Sequence, residues 1–174
     1  GIESALRHQD ISMREVAELL RDRHGKPAAE KALSLVTSFS ESPRESELKI
    51  RMWEAGLPAP YQQVEIINDL GMVLGRVDFM FACGLIVEYD GADKYLLNGN
   101  SRKSMTTEQV LYAERVREKL LQNEGFVVFR VDASSFRSDL FLLQIQEILE
   151  RLRASPLGIS PSRWRAGGLA WSND

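Results

Sequence analysis

Asp78, Glu88 and Asp90 fall in the most apolar stretch of the chain, G-R-V-D-F-M-F-A-C-G-L-I-V-E-Y-D-G from Gly75 to Gly91. Apolar runs split by a turn signal at Cys83-Gly84 read as two paired, buried strands rather than as a helix. A carboxylate on a central strand is costly unless something cationic meets it. Three of them converging on a strand pair would repel one another, and a divalent cation is the simplest relief. Hard oxygen donors suit a hard ion, so the expected occupant is Mg²⁺, with Mn²⁺ as a substitute. Glu88 and Asp90 are two residues apart and share a strand face, which sends Tyr89 to the opposite face and into the core.

The elements that must position these acids follow from pattern. Residues 11–23 and 27–38 carry helical periodicity, with His24-Gly25 as a stop between them. Ser40 to Pro43 is a polar break and the expected boundary of the main domain. A helix then runs from Ser42 as N-cap and Pro43 at its first position to Ala55, with Gly56 closing it. Strands are predicted at 61–68, 72–81 and 84–90, the first two joined by a turn at Asp69-Leu70-Gly71-Met72. A polar, basic loop covers 93–104, a long helix 106–123 ends at Gly125, Phe126 to Val131 is a further strand, and an amphipathic helix covers 138–153. This order predicts an α/β sandwich with a four-stranded mixed central sheet and a small helical N-terminal segment. From Ser155 the tail is too rich in Pro, Gly and Ser for regular structure, yet Trp164 and Trp171 predict that it packs back on the domain or on a partner.

Composition narrows the class. The 174 residues suffice for one well-cored domain, and 44% hydrophobic with 27% charged residues is ordinary for a globular protein. No apolar run approaches a membrane span, so the chain reads as cytoplasmic with no membrane partner. The lone Cys83 excludes an internal disulfide and a cysteine zinc site, and fits a reducing compartment; His8 and His24 offer little for a histidine site. A net charge of −3 does not advertise nucleic-acid binding, although a local basic face can coexist with it. The chain opens Gly-Ile-Glu-Ser without Met and reads as a fragment of a longer protein, with Gly1 left from a tag.

Taken together, the motifs resemble the PD-(D/E)XK nuclease superfamily. They are most similar to the very-short-patch-repair-like endonuclease domains of actinobacterial proteins carrying an AbiEi-type antitoxin region. The likeness rests on S-P-R-E-S-E-L-K (Ser42 to Lys49), A-G-L-P-A-P (Ala55 to Pro60), Gln63, G-R-V-D-F (Gly75 to Phe79) and V-E-Y-D-G (Val87 to Gly91). It continues through Glu114, Arg117, Leu121, Gly125 and Phe126 to V-F-R-V (Val128 to Val131). The resemblance implies a restriction-endonuclease-like fold, with residues 1–40 as a helical segment of a longer upstream region, 41–154 as the endonuclease-like domain and 155–174 as a tail. It implies that Asp78 and Glu88 bind the metal, with Glu45 supporting it and Asp90 beside them. It implies DNA as partner, an upstream domain in the same protein, and a setting in DNA repair or phage defence, and it leaves a homodimer open. Two positions depart from the pattern: Asp90 replaces a lysine two residues after Glu88, and Lys94 stands where a histidine is usual. The second departure points either to a migrated catalytic lysine or to a catalytically weakened nuclease fold that serves as a DNA-binding, antitoxin-like regulatory module.

Phosphodiester hydrolysis needs an activated water, charge neutralisation on the scissile phosphate and help for the departing oxyanion, all of which Mg²⁺ can serve. Each residue also has a plainer role. Asp78 could pair with Arg76 or Arg130, Glu45 suits a helix cap, and Asp90-Gly91 suits a turn. Gln63 could orient the site or simply pack. Arg117 could pair with Glu114 or reach a DNA phosphate. Lys94 could meet the attacking water or the phosphate as a charge stabiliser, since neighbouring carboxylates keep an ammonium protonated. Lys94, Arg102 and Lys103, with Arg115 and Lys119, form the expected phosphate-facing patch or an ordinary solvated surface.

Overall fold

Local chemistry sets the element ends. A computed structural model describes residues 2–8, 11–20, 31–90 and 106–171. Its helices and strands run α1 (Ile2–Arg7), α2 (Met13–Leu20), α3 (Pro43–Glu54), β1 (Tyr61–Ile67), β2 (Val73–Met80), β3 (Leu85–Asp90), α4 (Thr107–Asn123), β4 (Val127–Asp132), α5 (Ala133–Arg137), α6 (Leu140–Ala154), β5 (Trp164–Arg165) and β6 (Gly168–Leu169). Ser42 Oγ accepts the Glu45 N–H at the start of α3. Thr106 and Gln109 form a reciprocal capping box on α4. At the end of α4, Gly125 takes φ +90°, and the N–H groups of Gly125 and Phe126 turn back to the carbonyls of Gln122 and Leu121. That is the left-handed stop that glycine allows. It drops Phe126 and Leu121 into one cluster and launches β4.

The strands form a mixed six-stranded sheet in the order β4-β3-β2-β1-β5, with β6 also on β1. β1, β2 and β3 are an antiparallel meander, and β4 joins β3 in parallel. Helices cover both faces. Leu48 and Met52 of α3, Phe136 of α5 and Phe141, Ile145 and Leu149 of α6 pack on Phe79, Val87 and Tyr89. Leu121 of α4 packs with Val64, Ile66, Val77, Met80 and Ile86 on the other face.

Two expectations are corrected. The sheet has six strands rather than four, because the tail contributes β5 and β6 to the open side of β1. That edge carries backbone groups in need of partners. The Gly167 N–H reaches the Gln62 carbonyl and the Ala170 N–H the Pro60 carbonyl, while Trp164 tilts on Tyr61 and Trp171 is buried. The same strands overturn the expectation of a tail without regular structure. The expected helix over 138–153 is α6, and the short α5 precedes it. Asp132 caps α5 through the N–H groups of Ser134 and Ser135, and those bonds with the Ser134 hydroxyl hold its carboxyl down at about 2.

The N-terminal segment is tied to the sheet domain by buried polar groups. Lys49 of α3 is 1% exposed and donates to Glu3 of α1 and to Thr37. Glu3 also accepts from Ser46 and from the Thr37 N–H, and Gln62 of β1 joins through Thr37 and Ser40. Burial alone would raise the Glu3 carboxyl, but the bonds from Lys49, Ser46 and Thr37 outweigh it and hold it below 4.5. Burial pulls the Lys49 ammonium below its ordinary value, and Glu3 offsets part of that. Glu3→Ala leaves a buried ammonium unpaired and is expected to cost about 3 kcal/mol in chemical denaturation, most of it recovered in Glu3→Ala/Lys49→Met. Because the Glu3 pKa is depressed in the fold, its contribution is complete above 4.5 and fades as pH falls through the lowered value. The gap between parent and Glu3→Ala should therefore close in acid; a gap under about 0.5 kcal/mol at neutral pH would contradict the pairing.

Candidate functional site

β2 and β3 pair through Met80↔Ile86 and Phe79↔Val87, and the register stops just short of Asp78 and Glu88. The backbone ladder ends there. The Tyr89 N–H, which would continue it, donates instead to Asp78 Oδ2 at 3.1 Å. The strand pair forks at its acidic step.

The same step distorts β1. Gln63 lies between the pairs Gln62↔Phe79 and Val64↔Val77, across from Asp78, and its φ is +50°. That is uncommon for a residue with a side chain. Alternation breaks on both strands at this point: Met80 and Val77 pack in one layer although three residues apart, as do Tyr61 and Val64. Such strain, about 1–3 kcal/mol per residue, persists only where neighbours impose it and clusters at functional sites. Here the neighbour is Glu45, whose Oε2 accepts from Gln63 Nε2 at 3.1 Å and from the Glu41 N–H at 2.8 Å. One buried carboxylate oxygen thus caps the entry to α3 and fixes the strained residue of β1. The cap and the orienting roles are joined in Glu45 and Gln63.

Glu88 follows Ile86 toward the α4 side and is 6% exposed. Arg117 of α4 donates through Nη2 to both its oxygens, at 2.8 and 2.9 Å, and through Nη1 to the Arg76 carbonyl at 3.0 Å. The arginine stem lies along β2 where Gly75 has no side chain; a Cβ there would sit 3.3 Å from Arg117 Cδ. Arg117 therefore pairs with Glu88 rather than with Glu114.

Arg130 of β4 stands beside Glu88 in register and gathers the remaining acids. Its nitrogens lie 3.8 Å from Glu88, 3.8 Å from Asp90, 3.6 Å from Glu114 and 3.2 Å from Glu118. The last contact is close but not aligned, which leaves the buried Nε without a hydrogen bond. Burial would lower the guanidinium's pKa, but Glu88, Glu114, Glu118 and Asp90 outweigh it and raise it. Asp90 thus shares the Glu88 side of β3, while Tyr89 packs edge-on to Phe136 in the opposite layer.

Among the described residues no group of three or more Asp, Glu, His or Cys side chains is arranged to hold a metal ion. Of the acids expected to bind Mg²⁺, Glu88 meets Arg117 and Arg130 on the α4 side while Asp78 accepts the Tyr89 N–H, and four carboxylates around two guanidiniums leave the α4 side acidic. Lys94, Arg102 and Lys103 lie outside the described residues. Arg115 and Lys119 are exposed on α4.

The arginine network was only half visible in the sequence. A lone cation inside F-V-V-F-R-V demands an acidic partner, but that this partner is Glu88 follows only from the parallel β3–β4 register. A double-mutant cycle of Glu88→Gln and Arg117→Met is expected to give a coupling of about 2 kcal/mol in urea denaturation. A coupling below about 0.5 kcal/mol would show that Arg117 does not balance the buried acid.

Comparison with known protein families, curated proteins and solved structures finds no match to this chain.

Proposed function

We propose that the chain is a Mg²⁺-dependent DNA endonuclease with a restriction-endonuclease-like fold, working in the cytoplasm. The observation that supports this reading is Asp78 where the β2–β3 ladder ends, level with Gln63, which is linked to Glu45. By the resemblance, Asp78 and Glu88 would hold the ion. When bound, it would activate water, neutralise the scissile phosphate and stabilise the leaving oxygen. Gln63 keeps Glu45 oriented, and Glu45 in turn keeps β1 in its strained shape. The Tyr89 N–H orients Asp78. Exposed Arg115 and Lys119 on α4 offer charge for a DNA backbone. No helix among the described residues is long and apolar enough to cross a membrane.

A second reading, a nuclease-fold DNA-binding module without cleavage, is favoured by one observation: both Glu88 oxygens are engaged by Arg117. Plasmid nicking separates the two. Supercoiled DNA is expected to be nicked with Mg²⁺, and nicking is expected to fall to background with EDTA or in Asp78→Ala. Cleavage surviving both treatments would overturn the metal-dependent assignment. DNA binding that is indifferent to metal, with no cleavage, would select the second reading.

A further inference from the structure

Resting on the reading that Glu45 and Gln63 belong to the functional site, we infer that helix α1 is a positioning element for them. It clamps the Gln62 side chain and so holds the left-handed backbone at Gln63. In a regular strand successive side chains point to opposite faces. Gln62 and Gln63 instead both bond to the stretch from Thr37 to Glu45. Gln62 Oε1 accepts from the Thr37 hydroxyl at 2.8 Å, and Gln62 Nε2 donates to Ser40 Oγ at 3.2 Å. Gln63 Nε2 donates to Glu45 Oε2. Two consecutive side chains reach one side only if the backbone leaves the extended form, and Gln63 does so with φ +50°. Its bond to Glu45 is of the same order as the strain it must offset. The grip on Gln62, which is 1% exposed, tips the balance.

That grip is built by α1. Thr37 and Ser40 lie outside any helix or strand. Glu3 of α1 accepts the Thr37 N–H at 2.9 Å, and Lys49, paired with Glu3, donates to the Thr37 hydroxyl. Arg7 of α1 donates to the Ser40 carbonyl at 2.6 Å. The polar anchors of α1 thus land on the two residues that hold the Gln62 amide. No residue of α1 is buried, so polar contacts rather than an apolar face carry its docking.

Nuclear magnetic resonance on the whole chain tests this. The Cα and Cβ shifts of Gln63 follow its φ, and exchange of its side-chain amide follows the bond to Glu45. Two variants cut the clamp without leaving a charge unpaired. Glu3→Ala/Lys49→Met removes the buried ion pair as a unit, and Thr37→Val keeps the shape and removes the hydroxyl. Both are expected to move the Gln63 shifts from left-handed toward extended values and to speed its side-chain amide exchange roughly tenfold. The shift should persist in the double variant even though its stability in urea is recovered, which a merely structural role for α1 does not predict. Parent-like Gln63 signals in either folded variant would overturn the inference. Plasmid nicking is read on the same samples: turnover that falls with the Gln63 shift supports the placing of this step in the site, and full turnover beside a shifted Gln63 would overturn it. A parent that cuts no DNA would remove the endonuclease reading alone, since the Gln63 signals still decide the clamp.

Discussion

Glu88 sits inside an apolar strand, between Val87 and Tyr89, at 6% exposure. A carboxylate so placed needs a counter-charge, and removing one partner of such a pair commonly costs about 3–5 kcal/mol. Much of the architecture on the α4 side answers that requirement. Arg117 crosses from α4 to both Glu88 oxygens and to the backbone of β2, so one side chain pins helix and sheet together. Gly75 is the residue type that lets it pass. Arg130 sits next to Glu88 in the parallel register and draws Asp90, Glu114 and Glu118 into the same field.

The opposite side of the sheet answers a different demand. Asp78 takes the Tyr89 N–H out of the ladder, and Gln63 accepts a left-handed backbone to stay tied to Glu45. Distortion of β1 and β2 at one shared step is hard to sustain as an accident of packing, because both strands forfeit regular alternation there.

Much of the scaffold was legible in the sequence. Ser42, Pro43 and Gly56 frame α3, Gly125 ends α4, and the apolar runs give β1 to β4, because capping chemistry and periodicity are local. The two-residue strands of the tail were not legible, since so short a segment has no period and its pairing is set by the open side of β1. At the site, the side to which Glu88 and Asp90 point followed from alternation along β3. The partner of Glu88 did not, because the link from Arg117 spans 29 positions and depends on how α4 crosses the sheet. The burial of Lys49 was equally hidden: its acid, Glu3, comes from a different helix, 46 positions away. Gln63 reads from the sequence as either orienting the site or packing, and its strained backbone leaves no mark in composition.

The central claim is that Glu88 is kept in an apolar strand by Arg117. The double-mutant cycle of Glu88→Gln and Arg117→Met in urea denaturation tests it most directly. The expected result is a coupling of about 2 kcal/mol. A coupling below about 0.5 kcal/mol would contradict it.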